Sequence, residues 1–469
     1  MEVEAAARIL DERMAQAASA HSIPVTSYGL LLGGELVHRG CVGDLTPDRA
    51  AASPFRIASM TKSLTAATLL ILRDEGLVTL DAPLVDVLPW TRSIGLPSAS
   101  PPVRIGHLLT MTAGFPTDDP WGDRQESLPI EDFDRLVSGG LTFCRPPGLE
   151  FEYANLAYAL LGRAIAEVTG QDYRRVVRER LLEPLDMDAS TFDVASASGR
   201  VIGMHPVGSG LAEQEEGPSG AFSPMGGLWS TIEDLSKWIA FLEGAWSDAP
   251  DVGPLSRWSR REMQRAHVAV GRELDGSFGS YGMGIHISEH PDLGRFIHHS
   301  GGYPGYGSHM RWHPETRWAV VALANRTYAP MRLACAEALS EIVADEAAEA
   351  ARQRAVDRLW HQTERAMDVA ESLLEQWDDT MLDAIAAVNL DLDQSRDERR
   401  QAWTALSAGA VRRDVASVTS RSPAQARWTV DSDSGRIELD VLLTGEREPR
   451  VQALSARLLD AGRDGGLPQ

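Results

Sequence analysis

Segments with strand character lie on both sides of a long stretch of helix and loop, and that separation constrains the fold more than any single motif. Early in the chain Ser27–Leu32 and Leu36–Val42 are apolar runs separated by Gly33-Gly34, which predicts a hairpin. Late in the chain Tyr281–Ser288, Arg295–His299, Gly307–His313 and Trp318–Ala324 alternate like strands, and a helix is expected near Met331–Ala347. Between about Leu77 and Gly244 the spacing predicts helices at Asn155–Thr169, Tyr173–Leu182 and Ile232–Leu242, broken by many prolines. Ahead of the hairpin, Ile9, Leu10 and Met14 share one face of a helix over Val3–Ala20. The economical solution is an α+β fold. The two ends form one antiparallel β-sheet flanked by helices, and the middle is an inserted, mostly helical lobe.

At 469 residues the chain exceeds one ordinary core. Residues 1–348 are expected to form the first domain, with a sheet lobe at about 1–76 and 270–348 and a helical lobe at about 77–269. Residues 349–469 read as a small appended α+β domain of unknown role. It has a charged, Ala-rich helical stretch to about Asn389, a helix at Asp397–Leu406, and strands near Arg427–Val430, Arg436–Leu443 and Arg450–Leu454.

A net charge of -22 argues against a nucleic-acid or anionic-membrane partner, since either needs a basic face. No run of about 18 apolar residues is present to span a membrane. The opening Met1-Glu2-Val3-Glu4 lacks a secretory signal's basic and apolar regions, so a cytoplasmic location is expected. Cys41, Cys144 and Cys335 are too few and too scattered for a disulfide framework or zinc cluster, and are expected to be buried free thiols. The sequence leaves open whether the chain forms a homo-oligomer.

The chemistry is concentrated in three places. Only two lysines occur, Lys62 and Lys237, although Lys and Arg together number 45. A lysine kept in so arginine-rich a chain suggests a need for an amine that can lose its proton. Ser59-Met60-Thr61-Lys62 puts a hydroxyl one helical turn from that amine, the geometry of a nucleophile with its proton acceptor. The helix carrying them runs from Ala58 to Glu75 and ends at Gly76. The second place is Tyr153-Ala154-Asn155, just ahead of a helix. Asn155 also suits an N-cap, and a phenol beside an ammonium is drawn toward its phenolate form. The third is His298-His299-Ser300-Gly301-Gly302, ending a strand. Its paired glycines allow close backbone approach to a ligand, and they equally suit a hairpin turn. An amide from this strand and that of Ser59 would make a two-donor oxyanion hole. Adjacent histidines raise the question of a metal, but no carboxylate or cysteine stands at ligand spacing, so neither metal nor cofactor is expected.

Ser-x-x-Lys, then Tyr-x-Asn, then His-Ser-Gly on a strand resembles the serine β-lactamase and penicillin-binding-protein superfamily over roughly residues 5 to 345. The likeness is to its class C-like branch, which includes class C β-lactamases, D-aminopeptidases, DD-carboxypeptidases and family VIII esterases. The segments His107–Phe115, Pro224–Thr231 and Ala322–Asn325 agree. The resemblance implies a β-lactamase/transpeptidase-like fold and an acyl-enzyme on Ser59. Lys62 and Tyr153 would handle the proton, and Asn155 would bind both Lys62 and substrate. Gly302 would supply the second oxyanion amide. His299, Ser300 and Gly301 fall where the superfamily has Lys-Thr-Gly. Histidine is a weaker anchor for a substrate carboxylate than lysine, which favours a small-molecule ester, or an amide with a free amino end, over a β-lactam. The expected function is therefore esterase- or D-aminopeptidase/amidase-like. Acyl transfer, β-lactamase or DD-peptidase activity, and a catalytically silent binding protein are the alternatives. Trp121, in the acidic loop with Asp118, Asp119 and Asp123, joins Ser300 and Gly301 as an expected substrate contact.

Overall fold

The computed structural model describes residues 1–247, 250–273, 275–357, 359–406 and 409–459, the side chains of 345 and 347–357 excepted. The chain divides into two compact units, Met1–Ala347 and Ala348–Gln469.

The first unit is built on an eight-stranded antiparallel sheet. Its strands are β1 (Thr26–Leu32), β2 (Glu35–Val42), β3 (Val268–Arg272), β4 (Phe278–Tyr281), β5 (His286–His290), β6 (Gly294–Tyr303), β7 (Tyr306–His313) and β8 (Trp318–Ala324). The spatial order is β2-β1-β8-β7-β6-β5-β4-β3, so the early hairpin closes onto the last strand. Its Gly33 and Gly34 both take positive φ, 63° and 86°, as a two-residue connection between twisted strands requires.

Strand β8, Trp-Ala-Val-Val-Ala-Leu-Ala, is buried along its whole length because both faces of the sheet are covered. Trp318, Val320, Ala322 and Ala324 pack with Leu10 and Met14 of helix α1 (Val3–Ala20), and with Leu339 and Ile342 of the helix after the sheet. Ala319, Val321 and Leu323 point the other way, into the core shared with the helical lobe.

That second core contains helix α2 (Thr61–Asp74), which is buried on every side from Thr61 to Leu72. Its hydroxyls are satisfied within the core: Thr68 donates to the Leu64 carbonyl at 2.9 Å and Thr65 to that of Pro224 at 2.6 Å. Helix α3 (Asn155–Thr169) packs against it through an almost wholly apolar first half. A small hairpin, Met204–Val207 with Gly210–Glu213, lies within the mostly helical lobe.

Three local expectations are revised. The predicted strand Tyr281–Ser288 is two strands, β4 and β5, divided by a turn in which Gly284 has φ 75°. An unpredicted strand, β3, forms the sheet edge. Of the three cysteines only Cys335 is buried, while Cys41 is intermediate and Cys144 exposed. Isolated cysteines gave no periodicity from which to read their burial.

The second unit has a four-stranded antiparallel sheet in simple meander order: β9 (Arg412–Thr419), β10 (Gln425–Ser432), β11 (Gly435–Leu443) and β12 (Val451–Leu458). Alternate residues Trp428, Val430, Ile437, Leu439 and Val441 pack with Met367, Ala370 and Leu374 of helix His361–Glu375. Strand β9 was not foreseen, since Arg-Arg-Asp-Val-Ala-Ser-Val-Thr carries little apolar alternation. Among the described residues no helix is long and apolar enough to cross a membrane.

Candidate active site

Ser59 is the only residue between Ser53 and Leu72 that is not buried. A short strand, Phe55–Arg56, pairs with Trp229–Ser230, and the Ile57 amide donates to the Leu228 carbonyl at 3.0 Å. The chain then turns sharply at Ala58, whose φ of 48° lies in the left-handed region that a side chain rarely adopts. This strained position lifts Ser59 out of the core at the mouth of a 3-10 turn, Ala58–Met60, that feeds directly into α2.

Lys62, one turn further on, is fully buried. Its Nζ lies 2.8 Å from Ser59 Oγ, 2.6 Å from Asn155 Oδ1 and 2.9 Å from the Met225 carbonyl oxygen. Two of these partners are carbonyl oxygens and can only accept. A neutral amine therefore spends its two N–H groups on them, and its lone pair is left facing the one partner with a proton to give, the serine hydroxyl. Burial favours that neutral form and brings the amine down to about 8, although Asp119, Asp123 and Asp118 pull the other way.

Tyr153 hydrogen-bonds to Ser59, and its ring centroid lies 4.9 Å from the Lys62 amine. The expectation of a phenolate is not met. Burial is the largest influence on this hydroxyl, joined by the nearby Tyr281 and Asp119, and these hold it well above the ordinary tyrosine range. It stays protonated at neutral pH.

Asn155 is held from both ends of its amide. Oδ1 accepts from Lys62, and Nδ2 donates to the Asp119 carboxylate, which fixes the orientation of the amide. It is not the cap of α3. The cap comes from Asp118, whose two carboxylate oxygens accept from the amides of Asn155 at 2.7 Å and Leu156 at 2.8 Å. A capping carboxylate nearly forty positions earlier leaves no local pattern to read.

The opposite wall is β6. Strand β5 pairs with it only as far as His298, so residues 299–303 keep β7 on one side and leave the other edge to the Ser59 turn. Gly301 is required there, because a Cβ would collide with the Ile57 carbonyl oxygen and the Ser308 hydroxyl. Ser300 Oγ lies 2.9 Å from His309 Nδ1. His299 is only 2% exposed. Its Nδ1 lies 2.6 Å from the Ser300 carbonyl oxygen and so must carry the proton, which leaves Nε2 a bare acceptor with no hydrogen-bond partner among the described residues. Burial, with His286 and Lys62 adding to it, holds His299 well below the ordinary histidine range, so it is uncharged.

Between the walls lies a cavity of about 500 Å³. Ser59, Tyr153, His299, Ser300 and Gly302 line it, and Lys62 and Asn155 stand directly behind. Asp119, Pro120, Asp123, His286, Tyr328 and Arg332 complete the lining. Trp121 is not among these residues. It is exposed and packs edge-on against Phe222 at 5.7 Å, while its neighbours turn into the cavity. Sequence reasoning missed Tyr328, Arg332 and His286, none of which belongs to a recognisable motif. The Met225 carbonyl lies in a segment, Pro224–Thr231, that did stand out. Among the described residues no group of three His, Cys, Asp or Glu side chains is placed to hold a metal ion.

A half-open antiparallel sheet facing a helical lobe, with serine, lysine and tyrosine meeting between them, defines a protein of the β-lactamase and penicillin-binding type. The Beta-lactamase family model matches residues 6–344, and the chain belongs to that family. It is 28% identical over 227 residues to Protein flp of Staphylococcus aureus strain MW2, covering 47% of this chain and 45% of the relative. It is 27% identical over 190 residues to the D-alanyl-D-alanine-carboxypeptidase/endopeptidase AmpH of Escherichia coli K12, covering 40% of this chain and 48% of the relative. The chain thus spans about half the length of the curated relatives it matches. The octameric penicillin-binding protein homologue from Pyrococcus abyssi shares the fold at a TM-score of 0.63 and 19% identity, covering 97% of this chain and 100% of that one.

Proposed function

We propose that the protein is a serine hydrolase that forms an acyl-enzyme on Ser59 and cleaves a small ester or amide. One observation carries the reading: the Lys62 amine is clasped by two pure acceptors, so its lone pair addresses the Ser59 hydroxyl. Lys62 takes the serine proton as Oγ attacks the carbonyl carbon. The amides of Ser59 and Gly302 receive the oxyanion, and the protonated Tyr153 relays a proton to the leaving group. Water then attacks the acyl-enzyme with the same groups acting in reverse.

The lining supports a substrate whose recognised end donates hydrogen bonds. His299 offers a bare acceptor, Asp119 and Asp123 offer carboxylates, and the one guanidinium, Arg332, is ion-paired with Glu273. An ester or amide with a free amino end fits this better than a substrate anchored by a carboxylate, such as a β-lactam or the carboxypeptidase substrate named for AmpH.

The test is labelling with a fluorophosphonate, followed by turnover of a p-nitrophenyl ester panel. Wild-type protein should be labelled at Ser59, and Ser59→Ala should lose about three or more orders of magnitude in kcat/KM with an unchanged thermal transition. Full activity in Ser59→Ala on any substrate of the panel would remove the assignment.

A further inference from the structure

The segment His107–Phe115 stands out in the sequence, yet none of its residues lines the cavity beside Ser59. It lies instead against the stretch that delivers Tyr153 and Asn155. The Gly148 amide donates to the Thr112 carbonyl oxygen at 2.7 Å, and the Glu152 amide to that of Met111 at 2.8 Å. On the far side, the Tyr158 hydroxyl donates to the Leu109 carbonyl oxygen at 2.9 Å. Residues before and after the Tyr153–Asn155 pair are thereby fastened to one segment.

Met111 is the centre of this mount. It is fully buried, and its φ of 57° lies in the left-handed region, although it is neither glycine nor asparagine. Such backbone is kept where the surroundings over-determine it. The residue takes two amides, one with its carbonyl oxygen and one with its side chain. The carbonyl accepts from Glu152, and the thioether sulfur accepts from the Ala154 amide at 3.5 Å. Ala154 stands between the phenol and the carboxamide. It is buried, and its N–H has no other acceptor among the described residues. A stranded buried N–H is costly, so the turn keeps the place where the sulfur reaches it. Both residues flanking that N–H have exact tasks: Tyr153 hydrogen-bonds to Ser59, and Asn155 Oδ1 lies 2.6 Å from Lys62 Nζ.

We infer that Met111 is a positioning residue, whose thioether holds the Ala154 amide and so sets the place from which the Tyr153 phenol protonates the leaving group. The inference rests on the serine-hydrolase reading and adds to it a residue outside the cavity. Leucine fills nearly the same volume but accepts no hydrogen bond. Met111→Leu therefore strands the Ala154 N–H, and the turn must move to find it another partner. A basic alkoxide needs the phenol's proton in order to depart, whereas p-nitrophenolate is stable enough to leave without one. A displaced phenol slows the first and spares the second.

The experiment measures kcat/KM for p-nitrophenyl, phenyl and benzyl esters of one acyl group, in order of rising leaving-group basicity. Wild type is compared with Met111→Leu and with Met111→Gln, whose amide oxygen restores an acceptor on an unbranched chain. Met111→Leu should lose about tenfold on the benzyl ester and less than about twofold on the p-nitrophenyl ester. Met111→Gln should recover most of that loss. A residue needed only for packing would slow all three esters alike and gain nothing from an acceptor. Equal losses across the series, no loss at all, or a Met111→Gln variant as selective as Met111→Leu overturns the inference. Thermal unfolding is followed alongside. If Met111→Leu does not fold, Met111→Gln decides alone: a wild-type dependence on the leaving group supports the inference and a steeper one overturns it. Unfolding of both variants makes Met111 a residue of the core and likewise overturns it. Failure of the serine-hydrolase reading looks different: no Ser59-dependent turnover of even the p-nitrophenyl ester.

Discussion

The reactivity of Lys62 depends on how its burial balances the acids around it. Burial lowers the amine to about 8 while Asp119, Asp123 and Asp118 hold the charged form in place. If the neutral amine is the working base, kcat/KM should rise with pH along a limb centred near 8, since the proton must leave before the lone pair can act. Asp119→Asn removes the largest opposing influence and should move that limb to lower pH. Lys62→Arg should abolish the limb together with the activity, because a guanidinium does not deprotonate in this range. A pH profile unchanged by Asp119→Asn would contradict this account. His299 invites the complementary experiment. As an uncharged acceptor, it gives a substrate carboxylate nothing to bind. His299→Lys should therefore raise kcat/KM about tenfold for a carboxylate-bearing ester relative to its neutral analogue. An unmoved ratio would show that the anion preference is set elsewhere. The serine, lysine, tyrosine and asparagine were all legible as motif residues. The charge states of Tyr153 and His299 were not, because burial decides both, and burial comes from packing by segments distant in sequence.

Strands β5, β6 and β7 carry four histidines that pack on one another beneath the cleft. His286 stacks on His298 at 5.5 Å and meets His299 at 5.3 Å, while His298 and His309 are 5.6 Å apart. Burial is the leading cause that depresses all four, with Arg311, Arg332, Lys62 and the histidines themselves adding to it; His286 is lowered to about 3. Glu273 and Asp275 lie near Arg311 on the other side of the balance. The consequence for stability has a definite sign. Below the ordinary value of about 6.5 the unfolded chain binds protons that the folded one refuses, so stability is intact above that pH and falls as the solution is acidified. Each fully refused proton contributes a slope of about 1.4 kcal/mol per pH unit. Urea unfolding between pH 7.5 and 5 should show a steep decline below 6.5, made shallower in His309→Gln. A flat profile over that window would mean that the cluster accepts protons while folded. At this scale the hairpin and β8 were readable from alternation and glycine pairs. The β4–β5 break was not, because the turn at Gly282–Gly284 lies inside an otherwise strand-like run. The cap of α3 escaped for a similar reason, since Asp118 reaches it through space rather than along the chain.

Over the whole molecule, the architecture followed from one global feature, apolar alternation at both ends of a helical middle, which a single sheet satisfies. What the sequence could not supply was the part of the cleft wall made by Tyr328, Arg332 and His286, residues that meet only after the sheet has closed. The same closure bears on autonomy. The two cores of the first unit are assembled from residues between Ala6 and Val343, and the core of the second from residues beyond Leu359, Leu359 among those packed against it. Among the described residues, each of these clusters draws its buried apolar side chains from a single unit, the usual mark of units that fold separately. Helix Met331–Asp357 is the element that runs from one to the other, and its buried positions among the described side chains, Met331 to Val343, all belong to the first unit. A chain ending at Ala347 should therefore fold cooperatively, keep the near-ultraviolet signature of its buried tryptophans, and react with a fluorophosphonate at Ser59. If the shortened chain is instead unfolded or aggregated while the full chain is not, the first unit requires the second, and the appended residues contribute to the stability of the site as well as extending the chain.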